Sequence, residues 1–221
     1  MINITLVCTT HRDNGACTSS ELLKIFNTVD PDVIFEEIYP SLHESIYKGL
    51  QTKKGVETEA VKLFLKKRNI PHIPVDIDYL VNDEVFWNDV DIMFYAFKVY
   101  SKDYQYFSER LNEIASERGF FYLNSDICVR LMERLKRIEI DILQKLNDDK
   151  LKYIYKTWKE LNEKRECSWI KTIYDYSLEY GFSNAILYCG VQHGYSVINR
   201  VQQIKDNINI NWLFNKLPCK L

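Results

Sequence analysis

The sequence has no long apolar run, no closely spaced cysteine pair and no excess of charge of either sign. No stretch approaches the roughly 20 consecutive apolar residues that span a bilayer. The apolar run in MINITLVCTTH lacks the basic flank and small-residue cleavage site of a signal peptide. The 29 basic and 31 acidic side chains nearly cancel, which argues against a chain that coats nucleic acid or an anionic membrane. We therefore expect a cytoplasmic protein with neither nucleic acid nor membrane as a partner.

Six cysteines are scattered along the chain without a CxxC pair, so neither a zinc knuckle nor a disulfide framework is indicated. Scattered cysteines of this kind are typically buried like small apolar residues and stay reduced in a reducing compartment. The sequence also lacks repeats, low-complexity tracts and Pro/Gly-rich linkers. With 221 residues, 46% of them hydrophobic, it predicts a single domain over 1–221.

Four short apolar runs, at 2–8, 33–36, 72–76 and 185–189, read as strands covered on both faces, because none alternates cleanly with polar residues. Helical patterns separate the first three runs. From 83 to 180 the pattern is helical throughout, with Ser125 as a predicted N-cap. The sequence therefore predicts an α/β fold with a mostly parallel central sheet flanked by helices. The segment 83–180 is predicted as a large helical insertion, or cap, before the last core strand.

Each predicted strand runs into ionisable or metal-binding side chains. The four strand ends are Cys8-Thr9-Thr10-His11, Glu36-Glu37, Asp76-Ile77-Asp78 and Gly190-Val191-Gln192-His193. Parallel sheets bind ligands outside the carboxyl ends of their strands. We therefore expect these side chains to form one site.

Two chemistries suit such a set, and both lead to hydrolysis. Two imidazoles and a carboxylate can bind a divalent metal that activates water. Without a metal, a histidine or glutamate can act as general base while an arginine stabilises an oxyanion. A purely structural role is the alternative to both chemistries, because a lone histidine beside a strand is more often a hydrogen-bonded structural residue. Only one of Glu36 and Glu37 can face a given side of the sheet, and Asp76 could simply cap a helix.

Together, CTTH, PDVIFEEI, IPHIPVDID, KRECSWI and AILYCGVQHGYSVINRV resemble the TraB/PrgY/TIKI superfamily, which also takes in ChaN-like haem-binding proteins and erythromycin esterases. Its pattern has two GxxH motifs at strand ends, of which 190–193 matches one in full. The resemblance implies a peptidase-like or esterase-like hydrolase in which His11, Glu37 and His193 activate water. The same three residues would be the ligands if a divalent metal is bound. Arg165 matches the arginine that stabilises charge.

One position departs from that pattern, because Cys8 stands where the first GxxH motif has glycine. The thiol is expected to narrow the site, and a nucleophilic role for it is a weaker alternative. The substrate, a small molecule or a peptide, is expected to contact five residues at the strand ends. They are Arg12, Glu36, Asp76, Gln192 and Gly190.

Aromatic residues crowd the segment FWNDVDIMFYAFKVYSKDYQYF. Ordinary packing of a helix face accounts for most such patterns. The alternatives are a wall of an apolar substrate pocket or a homodimer face in the helical insertion. Two other functions also stay open at this point. One is a non-enzymatic protein that binds a peptide, a haem-like ligand or a signalling partner, and the other is an interaction subunit of a larger assembly.

Overall fold

The computed structural model describes residues 1–50, 55–79, 83–204, 210–215 and 217. Within them, five strands form one parallel sheet in the order β3-β2-β4-β1-β5. The strands are β1 (Ile2–Thr9), β2 (Val33–Glu36), β3 (His72–Pro74), β4 (Asn184–Gly190) and β5 (Ile210–Leu213). The predicted α/β fold with a parallel central sheet is confirmed. The strand β5 lies outside that prediction, because its four residues, INWL, are too few to show a strand period.

Helices fill the chain between the strands. They are α1 (Ser19–Val29), α2 (Pro40–Tyr47), α3 (Val56–Leu65), α4 (Glu84–Tyr100), α5 (Lys102–Leu123), α6 (Asp126–Leu146), α7 (Asp149–Glu179) and α8 (Val191–Gln203). The four helices α4 to α7 occupy the predicted insertion and precede β4. The predicted N-cap at Ser125 is confirmed, since the Ser125 hydroxyl accepts a hydrogen bond from the backbone N–H of Cys128.

The central strands are buried on both faces, as predicted from their mostly apolar runs without clean alternation. All of β4 from Ala185 onward is buried, and so is β1 from Ile4 onward. Although β4 comes late in the sequence, it lies between β2 and β1. In the register of these strands, Thr9 pairs with Gly190 and Glu36 pairs with Tyr188. The carboxyl ends of β1, β2 and β4 therefore lie at one edge of the sheet.

A side chain of the insertion completes the hydrogen bonding of β1. The strand β5 pairs with β1 only as far as Thr5. Beyond that point the Asn124 side chain takes the place of a strand: its Oδ1 accepts from the N–H of Cys8 at 2.7 Å, and its Nδ2 donates to the carbonyl of Cys8 at 2.9 Å. Both backbone groups are buried and would be costly to leave unpaired. This contact fixes the insertion against the strand that leads into His11.

One buried carboxylate links three helices of the insertion. Glu139 of α6 accepts hydrogen bonds from the hydroxyls of Tyr104 in α5, at 3.3 Å, and Tyr155 in α7, at 3.0 Å. Burial raises the pKa of Glu139 from 4.5 to about 7, although both tyrosine hydrogen bonds oppose the increase. The folded chain thus keeps this proton to a higher pH than the unfolded chain does.

This shift predicts a pH-dependent stability that Glu139→Gln removes. Between about pH 4.5 and pH 7 the folded state binds more protons than the unfolded state, so the free energy of unfolding falls as the pH rises. The cost reaches about 3 kcal/mol above pH 7. In urea unfolding, Glu139→Gln should match the wild type near pH 4 and be more stable by about that amount at pH 8. The control is Glu133→Gln, which changes a half-buried glutamate of α6 paired with Arg137. An equal effect of Glu139→Gln at both pH values would contradict the prediction.

Candidate active site

A cavity of about 300 Å³ lies at the carboxyl edge of the sheet, where β1, β2 and β4 end. Its walls come from these strand ends, from α4 and α7, and from the first turn of α8. The lining residues are Thr9, Thr10, His11, Glu37, Trp87, Trp158, Asn162, Arg165, Gly190, Val191, Gln192 and His193. The four residues predicted as catalytic, His11, Glu37, Arg165 and His193, thus all reach one cavity.

Glu37 and Arg165 form a buried ion pair in the wall of this cavity. The Arg165 Nη2 donates to Glu37 Oε1 at 2.6 Å, and the N–H of Gly190 donates to Glu37 Oε2 at 2.6 Å. Burial alone would raise the pKa of Glu37, but the neighbouring His193, Arg165 and His11 lower it by more. Glu37 is therefore a carboxylate whose two oxygens are already hydrogen-bonded.

Asp76 lies behind Arg165 and holds the guanidinium in place. The Arg165 Nε donates to Asp76 Oδ1 at 2.9 Å and Nη2 donates to Oδ2 at 2.7 Å, which is a two-point contact between planar groups. The Trp169 indole also donates to Asp76 Oδ1, at 3.1 Å. Asp76 does not line the cavity. Asp76 thus positions Arg165 from behind the cavity wall, and its predicted contact with the substrate stays a prediction.

His193 is oriented by a carboxylate that the sequence analysis missed. Its Nδ1 lies 2.9 Å from Glu166 Oε1, and its ring packs edge-on against Trp169 with the ring centroids 4.8 Å apart. Because the carboxylate can only accept, Nδ1 carries the proton in the neutral ring and Nε2 is left with a lone pair. That Nε2 is 3.4 Å from Arg165 Nη1 and 3.5 Å from Glu37 Oε1.

Glu166 belongs to the same face of α7 as the arginine beside it. Asn162, Arg165, Glu166 and Trp169 recur at spacings of three and four residues, which brings them to one side of a helix. Glu166 is 3% exposed despite its charge, and its other oxygen accepts from Arg200 Nε at 3.0 Å. The only signal in the sequence is its position within this periodic polar set, next to Arg165.

His11 stands at the mouth of the cavity beside another buried carboxylate. Its side chain is 63% exposed, and its Nδ1 is 3.3 Å from Glu57 Oε1 at the start of α3. The hydrogen bond to Glu57 raises the pKa of His11 to about 9, and the charge of Glu37 adds to the increase. Both carboxylates favour the protonated imidazole, so His11 is better suited to donate a hydrogen bond than to accept a proton.

Gly190 is a glycine because His11 comes close to it. A Cβ at position 190 would lie 2.8 Å from His11 Nε2 and 3.6 Å from Glu37 Oε2. No real Cβ contact is that short, so any larger residue would displace the imidazole from the cavity. The GxxH motif thus provides both His193 and the room for the second histidine.

Cys8 lies away from this cavity. Its thiol packs against Gly194 in α8, where a Cβ would lie only 2.5 Å from the sulfur. The thiol is buried and is not among the groups that line the cavity. The expected narrowing by Cys8 and the alternative of a Cys8 nucleophile therefore both lack a geometric basis.

Of the other residues predicted to contact the substrate, some line the cavity and others do not. Gly190 and Gln192 line it. Arg12 is exposed and does not, because the chain bends after Thr10 and carries consecutive side chains apart. Glu36 does not line it either, since its side chain contacts His43 and His72. Adjacent residues of a strand point to opposite faces, which separates Glu36 from Glu37.

The arrangement of His11, Glu37 and His193 suits a metal-free site better than a metal site. Among the residues that the structure describes, these three do not form a group whose ligand atoms all lie within 4.8 Å of one another. The guanidinium of Arg165 contacts both Glu37 and His193, where its charge would repel a cation. His11 would also have to lose its proton before it could bind a metal. A divalent metal bound by His11, Glu37 and His193 stays a prediction, and the geometry of the three residues does not support it.

The aromatic segment of the insertion serves mainly for packing. Phe97 is buried and makes edge contacts with Phe94 and Tyr104, whereas Trp87 lines the cavity. Four apolar side chains of α4 are exposed along one stripe: Val85, Ile92, Tyr95 and Val99. The homodimer stays a prediction.

No described helix of the chain is long and apolar enough to cross a membrane. No protein-family model, curated protein or solved structure matches the chain. The resemblance to the TraB/PrgY/TIKI superfamily therefore stays a prediction, and the function has to be argued from the site.

Proposed function

We propose that the protein is a hydrolase that activates water with His193 and acts on a small ester, amide or peptide substrate. One observation carries the proposal: His193, whose Nδ1 contacts the Glu166 carboxylate, lines one cavity together with His11 and the Arg165 guanidinium. A base and a positive charge on either side of a bound carbonyl are what addition of water requires.

In the proposed reaction, His193 Nε2 accepts a proton from a water molecule in the cavity, and the water oxygen bonds to the substrate carbonyl carbon. Glu166 stabilises the imidazolium that forms, since it accepts from Nδ1. His11 is placed to donate to the developing oxyanion because its imidazole is protonated and lines the mouth of the cavity. When the tetrahedral intermediate collapses, the bond to the leaving group breaks and His193 returns the proton to that group.

Arg165 and Glu37 support this chemistry by holding the site together. Arg165 makes hydrogen bonds to Asp76, Glu37 and Asn162, and its Nη1 also lies 3.4 Å from His193 Nε2. Its contribution to the reaction is its charge and its hold on His193 and the cavity wall. The volume of about 300 Å³ is at the small end of ligand pockets. Trp87 and Trp158 line it, which favours a substrate with a compact apolar group beside the carbonyl.

A panel of hydrolysable compounds tests the proposal. The chelator-treated full chain is assayed against short-chain esters, lactones, aminoacyl amides and short peptides, with His193→Gln as the matched variant. We expect turnover of at least one class to persist without metal and to fall about 10³-fold or more in His193→Gln. Activity restored only by added divalent metal would replace the metal-free route with the metal-dependent one. Binding of panel compounds without turnover would favour the non-enzymatic alternative.

We also infer a cytoplasmic location. The cysteines in the described part of the chain are all free. Among them, Cys8 and Cys189 lie directly opposite each other on paired strands. A reducing compartment keeps such thiols unpaired.

A further inference from the structure

A second group of polar side chains meets outside the cavity, at the end of β2. Glu36 Oε1 is 2.7 Å from His72 Nδ1 and 3.2 Å from His43 Nε2, and the two ring nitrogens are 3.0 Å apart. Glu36 is the last residue of β2, His72 the first of β3, and His43 lies in the middle of α2. We propose that these three residues bind one divalent transition-metal ion, of which Zn²⁺ fits best.

The distances among the three atoms are close to those of a zinc site. With ligand bonds of about 2.0 to 2.1 Å, two ligands of a tetrahedral Zn²⁺ lie about 3.3 Å apart. The separations of 2.7 to 3.2 Å therefore need to open by only a few tenths of an ångström. Two imidazoles and one carboxylate with a fourth position for water are also a common donor set for this ion.

The neighbours of Glu36 leave one of its oxygens for a metal. Glu36 is fully buried, and its Oε2 accepts hydrogen bonds from the hydroxyls of Tyr188, at 2.7 Å, and Tyr47. These two bonds fix the carboxylate so that Oε1 points at both imidazoles. Hydrogen-bonded partners of this kind orient metal ligands and strengthen binding.

An entry path exists as well, because the side chains of His43 and His72 are 19% and 22% exposed. The helix α2 has no fully buried side chain, and β3 is a three-residue edge strand of the sheet. The apolar side chains of α2 are only partly buried, and a metal shared by α2, β2 and β3 would join all three. This ion stabilises the edge of the sheet and takes no part in the reaction proposed for the cavity.

The four histidines of the chain supply the test. Chelator-treated full chain is titrated with Zn²⁺ by calorimetry, in parallel with His43→Gln, His72→Gln, His11→Gln and His193→Gln. We expect one equivalent to bind the wild type, an affinity about 100-fold lower or worse in the first two variants, and no change in the other two. Zn²⁺ should raise the Tm of every variant that binds it and of no other.

Two further measurements keep the test decisive if His43→Gln or His72→Gln folds poorly. Tyr188→Phe leaves every ligand in place and should weaken binding about 10-fold or more. Co²⁺ in the wild type should give the visible absorption of a tetrahedral site without a thiolate charge-transfer band, which separates this site from the exposed Cys167. The proposal is overturned if the wild type binds no Zn²⁺. Loss of binding in His11→Gln or His193→Gln, with binding retained in His43→Gln and His72→Gln, would also overturn it.

Discussion

Replacing Arg165 with methionine is expected to lower the free energy of unfolding by about 4 kcal/mol, because it leaves buried charges without a partner. The guanidinium makes two hydrogen bonds to Asp76 and one to Glu37, and both carboxylates are almost wholly buried. Methionine matches the length of the arginine stem but supplies no donor. Urea unfolding of the variant and the wild type at pH 7 measures the difference.

The matched control is Arg68→Met, which removes an arginine that pairs with Asp30 on the surface. Both side chains of that pair are about half exposed, so its loss should cost less than about 1 kcal/mol. A loss in Arg165→Met as small as that of the control would show that Glu37 and Asp76 do not depend on Arg165. The role assigned to this arginine in holding the cavity wall would then fail.

Much of the fold was predictable because its strands are buried on both faces. The run 185–189 carries no charged residue and 33–36 is apolar up to Glu36, and helical periods separate the early strands. The rule that parallel sheets carry ligands at their carboxyl ends then brings His11, Glu37 and His193 to one edge. The structure places all three in one cavity. The GxxH spacing from Gly190 to His193 was equally informative, because both residues line the same cavity.

The partners of these residues were not predictable in the same way. Glu57 and Glu166 come from helices, and which side of a helix faces the site depends on how it packs against the sheet. These two carboxylates nevertheless support the roles proposed for the histidines, since Glu57 raises the pKa of His11 and Glu166 contacts Nδ1 of His193. The sequence analysis assigned the activation of water to both histidines. The function proposed above instead assigns the role of base to His193 and that of hydrogen-bond donor to His11.

His43 and His72 show a second limit of the sequence. Neither lies in a recognisable motif, and 28 other residues separate them along the chain. They meet because β3 pairs with β2 and because α2 packs beside them. Neighbouring strand residues point to opposite faces, so the sequence did predict that the side chains of Glu36 and Glu37 would lie on different sides of the sheet. It did not predict what Glu36 would meet.

The roles proposed for the two histidines predict that Glu166→Gln lowers kcat by about 10³-fold or more. A glutamine amide can donate to Nδ1 of His193, which favours the tautomer with the proton on Nε2. In that tautomer the nitrogen that faces the cavity can no longer accept a proton from water. The measurement is kcat for whichever ester or amide the wild type hydrolyses.

Three comparisons separate this role of Glu166 from a merely structural one. Glu166→Asp keeps the carboxylate and should recover part of the rate, and the pH profile of kcat should change in Glu166→Gln but not in the aspartate variant. Arg200→Gln removes the other hydrogen bond of Glu166 while leaving its contact with His193, so its loss in kcat should stay under about tenfold. Equal losses in Arg200→Gln and Glu166→Gln would mean that packing around α8, and not the proton on His193, controls the rate.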